Sequence, residues 1–576
     1  MQSKGFTIMF IVGIGLGIGI GAEAGYPDTE SELVFLGEKF IHHEINLVSK
    51  YLNADKCTED QAGMVITRGP IDTVWIRQYW GPAHDNDYPW RRGITVDNLG
   101  NVYIIGRSKG SGTDMDWVTI KYDANGNELW TKRYDDNFGF DIARGLAVDD
   151  SGYVYVTGTS GGALSSWLTT IMYNQNGDTV WVRKYQGTGG YLNGANALFL
   201  DDSGNVYVTG YETGPNIDLN FVTIKYDRNG NRKWVAVYDL PGTDMDSEEA
   251  EDLAMDPEGN IYVVGYLDSD GGGLSDYLTV KYNQAGETLW VRTWDSGYNE
   301  FDEAISVVID GTGNVYVGGS AYGVYGVIKY DSNGNFLWAS APFFRGTEIT
   351  RLCIDGNDDI WNTGYYYAYT EKLNHLTGEK IWFWCGEGSW NYGQMWDMKI
   401  DAENNVYITG CDSNLDYCTI KFNNAGEELC RAFYRVLIGE NISYGIAIDS
   451  SGYVYVTGHV SADAGGHGPI VTIKYHQIPV NIAEQKSHPL VNNEFWANNP
   501  VKDNIILWLP DKYTGHSVSV FLYDATGRPV KRIERTTSVG NTQISLPVKE
   551  LNQGVYFLKV NGRGAKNQTF KLVKIE

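Results

Sequence analysis

Asp141 and Asp302 each stand eight residues ahead of another aspartate, Asp149 and Asp310, in the matching stretches DIARGLAVD and DEAISVVID. Glu248 holds the same offset before Asp256, and Asn193 and Asn441 hold it in two further copies. Two carboxylates facing each other across a cleft can protonate and cleave a glycosidic bond. Carboxylates beside aromatic planes can instead hold a sugar ring or a cationic peptide without reaction. The segments around Trp90, Tyr366, Trp390, Tyr392 and Trp396 supply such planes. DMDSEEAED (244–252) and DSDGGGLSD (268–276) crowd oxygen ligands that suit calcium, with Asp244, Asp246, Asp268 and Asp270 as the candidates. Neither has EF-hand spacing. No Ser-His-Asp order, metal-type His cluster or phosphate loop accompanies them, so the reading leans away from an enzyme and assigns no catalytic residue.

These residues belong to a repeat. Asp97, Asp149, Asp201, Asp256, Asp310, Asp355, Asp401 and Asp449 each open a short turn followed by a version of one phrase, such as NVYIIG, YVYVTG or NVYVTG. The period is about 50 residues, as in propeller arrays. Each copy reads as four strands joined by tight turns, for example 146–148, 153–157, 168–173 and 179–185. A four-stranded sheet cannot bury both faces alone, whereas radially packed sheets can. A tryptophan recurs in the fourth strand at Trp130, Trp181, Trp234, Trp290, Trp338 and Trp382, with Cys430 in the seventh copy. Such regularity predicts packing between sheets. The last copy lacks a fourth strand, and an orphan one, TVWIRQY (73–79), precedes the first copy. Its pairing with 471–475 would close an eight-bladed ring.

The phrase D-x-x-G-N-V-Y-V-T-G, followed by T-I-K-Y-D-x-N-G-N-x-x-W, resembles the bacterial beta-propeller repeat called SBBP. The resemblance covers about 73–475 and implies a propeller. The family label implies seven blades, and the copies in this chain number eight. It brings no catalytic residues.

The turns after strands one and three are nearly constant, and the connections at the opposite end of each sheet vary. That variable end gathers the acidic and aromatic residues named above, so recognition is expected there. The same residues would also serve as solvated loops and caps.

The charge is −27 overall, which repels nucleic acid and anionic membranes. From 499 onward, 12 Lys and Arg face 6 Asp and Glu, so a basic end follows an acidic body. Lys4, the apolar run 6–20 and Ala22-Glu23-Ala24 read as a signal peptide over 1–24. A lead segment with a helical pattern at 38–52 fills 25–70. The propeller takes 71–478, a linker 479–498, and a small β-sandwich of Ig-like kind 499–576. That last text resembles the C-terminal sorting domain of the type IX secretion system. The resemblance is carried by Asn499-Pro500, Gly527-Arg528, the strand with Gly554 and Tyr556, and Lys571 to Lys574. It implies partnership with that secretion machinery, then release or surface attachment. No later run spans a membrane. Cys411 and Cys418 bracket one loop, leaving a disulfide between them open. The composite reading is an all-β, exported, non-catalytic binding or scaffold module for extracellular polysaccharide or a surface protein. Its rivals are a hydrolase or lyase with mouth carboxylates, and a purely structural surface protein.

Overall fold

The recurring aspartate starts the structure locally. Asp97 Oδ1 accepts the backbone N–H groups of Leu99 and Asn101, both at 2.9 Å. Its Oδ2 accepts the Asn101 amide at 2.7 Å and the Tyr103 hydroxyl at 2.9 Å. One carboxylate thus caps the turn and fixes a buried side chain at the start of the strand that returns. Asp201, Asp256, Asp310 and Asp401 repeat the arrangement with Tyr207, Tyr262, Tyr316 and Tyr407. In the sixth unit the Trp361 indole takes the tyrosine's place on Asp355 at 2.9 Å.

The computed structural model describes 56–60, 63–68 and 71–477, apart from 137–138, 140, 241–246, 269–273, 298–300, 322–325, 341–347, 366–367, 386–392, 437–438 and 462–466. Beyond that it describes 496–497, 504–508, 517–524, 528–536, 543–549, 551, 554–562 and 568–574. The signal peptide, the lead helix, Asn499, Pro500 and Gly527 lie outside the described residues. Among the described residues the secondary structure is all strand, and no helix is long and apolar enough to cross a membrane.

Each repeat is an antiparallel meander, as in Ile142–Val148, Val154–Gly162, Ser165–Tyr173 and Thr179–Tyr185. The first strands form the inner wall: Asp87–Val96, Ile142–Val148, Gly194–Leu200, Ser247–Met255, Asp302–Ile309, Glu348–Ile354, Gln394–Ile400 and Asn441–Ile448. Each touches the next, and Asn441–Ile448 touches Asp87–Val96. The orphan strand Ile71–Tyr79 pairs with Ile470–Gln477, with Thr73 opposite Tyr475 and Tyr79 opposite Ile470. This is the pairing the sequence predicts. Trp75, Ile94, Ile120, Tyr455 and Ile470 then pack where the two ends of the chain meet.

The fourth-strand tryptophan clamps the neighbouring unit. Trp181 donates its indole N–H to Arg228 O at 3.2 Å, and a Cβ on Gly230 (φ +76°) would come within 2.8 Å of its ring. Trp75, Trp130, Trp234, Trp290 and Trp338 make the equivalent bond. Each reaches the turn between strands three and four of the next unit. The closing unit has no such turn, because those two strands come from opposite ends of the chain. Cys430 stands in the unit that faces it, packed against Ile71 and Tyr475. The exception to the tryptophan rule is therefore a consequence of closure.

Two findings add to the sequence reading. Lys56–Asp60 and Gly63–Arg68, placed by sequence in a lead segment, form a hairpin on the outer strand Glu428–Arg435, with Met64 opposite Arg435. Cys411 and Cys418 are both free thiols. Cys418 pairs with Gly410, one residue from Cys411, so the two side chains leave opposite faces of the sheet. They end in separate clusters, one with Trp396 and the other with Met398 and Phe422.

Toward the C-terminus, Trp496–Ala497, Asn504–Trp508 and Gln543–Pro547 form a three-stranded sheet. Pro529–Thr536, Ser517–Asp524, Gly554–Gly562 and Gln568–Lys574 form a four-stranded one. Gly554 pairs with Lys574, and Phe557 with Lys571. Tyr556 is half-buried and Arg528 exposed.

Candidate functional site

Every inner strand carries a bulge. Register slips between Ala143 and Gly145, Ala250 and Asp252, Met395 and Asp397, and Ser443 and Gly445, among others. The extra residue, such as Arg144, Glu251, Trp396 or Tyr444, is re-aimed away from the sheet, as bulges do at functional positions. The first unit goes further. Four residues, Trp90–Gly93, stand between Pro89 and Ile94 where the partner strand has one. Asp87 accordingly precedes its turn aspartate by ten residues rather than eight. The insertion projects Arg91 and Arg92 into the ring, with Arg92 at φ +59°.

Arg92 spans the interior. Its guanidinium lies 3.2 Å from Asp252 and donates to the carbonyls of Ile305, at 3.3 Å, and Thr350, which belong to the fourth, fifth and sixth units. Arg91 lies 3.8 Å from Glu348 and 4.2 Å from the centre of the Trp396 ring. Arg144 lies 3.8 Å from Glu249 and 5.0 Å from the Trp90 ring, and it bonds Asn196. Asn196 and Tyr266 both donate to Glu249, at 2.9 and 2.8 Å. Trp396 packs between Tyr365 and Tyr444 at 5.0 and 5.7 Å. One end of the ring therefore opposes an arginine arc from units one and two to a glutamate arc from units four to six. Aromatic rings lie under two of the guanidinium groups.

Burial dominates the electrostatics here. It pushes the Glu251 carboxyl up to about 8, helped by the charges of Glu249 and Glu303 and opposed by Arg144 and Arg92. Glu303 is raised by burial and then by Glu348 and Glu249. Glu348 is raised by burial, and Arg91 draws it back. Burial lowers Arg92, with Arg351 adding to the effect.

The sequence-expected carboxylates lie one residue away from this arc. Asp141, Glu248 and Asp302 are 0% exposed. They turn toward the backbone of the preceding connection. Asp141 accepts Asp136 N–H at 2.9 Å and Gly161 N–H at 3.0 Å. Asp302 accepts Ser296 N–H at 2.7 Å, and Glu248 accepts Leu240 N–H at 3.2 Å. Asp87, Asn193 and Asn441 do the same in their units. The next residue along, Glu249, Glu303 or Glu348, faces the ring, because successive side chains in a strand alternate. The two-residue lengthening of unit one is the signal in the text that could have pointed to Arg91 and Arg92. Of the aromatic candidates, Trp90 and Trp396 join the site. Tyr366, Trp390 and Tyr392 lie outside the described residues, as do Asp244, Asp246 and Asp270. Asp268 ends the strand Ile261–Asp268. Burial and neighbouring carboxylates push Asp141 and Asp276 up to about 6.

Four-stranded meanders set radially around an inner wall define the class: a β-propeller. Residues 74–112 and 130–164 match the beta-propeller repeat family, and residues 499–575 match the secretion system C-terminal sorting domain. The chain thus combines propeller repeats with a type IX sorting domain, which marks it for export and for cell-surface attachment or secretion. It is 24% identical over 143 residues to an uncharacterized WD repeat-containing protein of Acanthamoeba polyphaga mimivirus, a match spanning 20% of this chain and 10% of that relative. Among solved structures it is similar to dihydro-heme d1 dehydrogenase NirN, at 11% identity and TM-score 0.44, covering 82% of this chain and 80% of that one. It is also similar to polysaccharide lyase Uly1, at 11% identity and TM-score 0.41, covering 60% of this chain and 89% of that one.

Proposed function

We propose that the chain is an exported, non-catalytic binding module that takes extracellular polysaccharide at the variable mouth of an eight-bladed propeller, ahead of an Ig-like sorting domain. The blade count is supported by the unbroken succession of inner strands and by the strand shared between the chain's two ends. The Ig-like reading is supported by the two C-terminal sheets. The binding site is carried by one observation: Arg91 and Arg144, seated over Trp396 and Trp90, oppose Glu348 and Glu249 at one mouth. Aromatic planes hold the apolar face of a sugar, while fixed carboxylates and guanidinium groups take its hydroxyls.

The test is a glycan array probed with the full exported chain. A polysaccharide hit is expected, weakened about tenfold or more by Arg91→Ala, since a lost charged hydrogen bond costs about 1.5–3 kcal/mol. A blank array from folded protein counts against polysaccharide and moves the reading to a surface-protein partner. A second reading, a carbohydrate-active enzyme, is favoured by Glu251, a bulge carboxyl inside the ring whose proton is held more tightly by burial and by the charges of Glu249 and Glu303, as a general acid requires. Turnover of the bound glycan, abolished by Glu251→Gln, would establish it.

A further inference from the structure

Two carboxylate triads occupy the same place at two joints of the ring. Asp116, Asp135 and Asp141 meet between the first and second units, and Asp276, Asp295 and Asp302 between the fourth and fifth. Within each, the oxygens lie within 4.8 Å of one another. Each triad draws one residue from the head of a third strand, one from just past a fourth strand, and one from the head of the next inner strand.

In the first triad, Asp116 has a cation of its own. Arg133 lies 2.6 Å from Asp116 and stands opposite Val118 in the sheet. At the corresponding register in the fourth unit, opposite Leu278, the residue is Thr293. The carboxylates recur and the guanidinium does not.

A second observation points into the same joint. Ser275 is 3% exposed, and its hydroxyl has no hydrogen-bond partner among the described residues. Its counterpart in the second unit, Ser166, uses the hydroxyl on Asn193, which stands where Asp302 stands. That hydroxyl accepts the Asn193 N–H at 2.9 Å and donates to its carbonyl at 2.8 Å. In the fourth unit the Asp302 N–H goes instead to the Ser275 backbone carbonyl at 2.7 Å. The Ser275 hydroxyl is left over, on the residue that precedes Asp276 and whose carbonyl holds the Asp302 N–H.

We propose that Asp276, Asp295 and Asp302, with the Ser275 hydroxyl, bind a calcium ion that pins the fourth unit to the fifth. All four ligands are hard oxygens, which excludes a preference for thiolate- or imidazole-seeking metals. Calcium accepts oxygens at about 2.3–2.6 Å in irregular geometry, so oxygens up to 4.8 Å apart can share one ion. Magnesium demands a tighter octahedron at about 2.0–2.1 Å. The ion offsets the carboxylate charge here as Arg133 offsets that of Asp116 in the first unit.

The test uses the full chain, stripped with chelator and loaded with terbium, whose emission is sensitised through Trp294, next to Asp295 in sequence. Wild type is expected to give sensitised emission that calcium displaces with a midpoint on the order of 10⁻⁴–10⁻³ M, as in extracellular modules. Calcium is also expected to raise its unfolding temperature. Thr293→Arg, which rebuilds the arrangement of the first unit, and Asp276→Asn should both lose the emission and the calcium-dependent rise. Thr293→Arg keeps the test open if Asp276→Asn does not fold. Wild type without calcium-displaceable emission overturns the proposal, as does emission undiminished in the folded variants.

Discussion

Glu251 shows how much one residue's position decides. As the bulged residue of its strand it leaves the sheet and enters the ring, between Glu249 and Glu303 and opposite Arg144 and Arg92. A carboxyl whose folded pKa lies above its unfolded one binds its proton more tightly when folded. Its contribution to stability is therefore full in acid and is lost as the pH rises from the ordinary carboxylate range through about 8. Glu251→Gln copies the protonated form, so its urea midpoint should fall less than that of wild type between pH 5 and pH 8. Parallel midpoint curves for the two proteins would show that Glu251 is not held protonated. The same scale exposes what could not be read from the text. Asp141 and Asp302 looked like mouth carboxylates because they recur at one offset. They recur because the position ties backbone in six of the units, as Asp87, Asn193, Glu248 and Asn441 also show. Recurrence marked the scaffold. The residues facing the ring differ from unit to unit, which hides them from any search for a shared phrase.

At the scale of the element, the fourth strand was legible almost whole. Its tryptophan was expected between sheets, and it packs there, donating to the next unit's turn. Trp181 is 6% exposed in its cluster, so Trp181→Ala should cost about 3–5 kcal/mol, read as a lowered urea midpoint. Cys430→Trp is the informative reverse. It restores the repeat's wording where the facing unit lacks the turn a tryptophan would cover. The site is already filled by Ile71, Tyr434 and Tyr475, so overpacking should cost about 1–3 kcal/mol. A stabilised Cys430→Trp protein would refute this account of the exception. The bulges were not legible. Local sequence in Ala-Arg-Gly and Ala-Glu-Asp does not announce an extra residue, because the slip is defined only against the partner strand.

For the whole molecule, closure joins the first and last strands of the ring. Ile71–Tyr79 covers the edge of Ile470–Gln477, an apolar strand whose unpaired backbone would otherwise template association. Deleting 71–79 should make the chain self-associate, seen as high-mass species by light scattering and an early-melting phase on heating. A monodisperse deletion variant with an unchanged unfolding temperature would mean that the strand does not hold the ring. Order along the chain sufficed for much of this architecture. The period, the turn aspartates and the tryptophans are repeated features that act within a unit or on the next one, and the orphan strand is legible as the one piece the last copy lacks. The sorting domain was legible for the same reason, as a contiguous stretch of wording. Only the tertiary structure decided which residues face one another across the ring. Arg92 and Asp252 are 160 residues apart in the chain and 3.2 Å apart in space. Their meeting depends on a two-residue insertion in one unit and on the summed geometry of all the units between them, which no local pattern encodes.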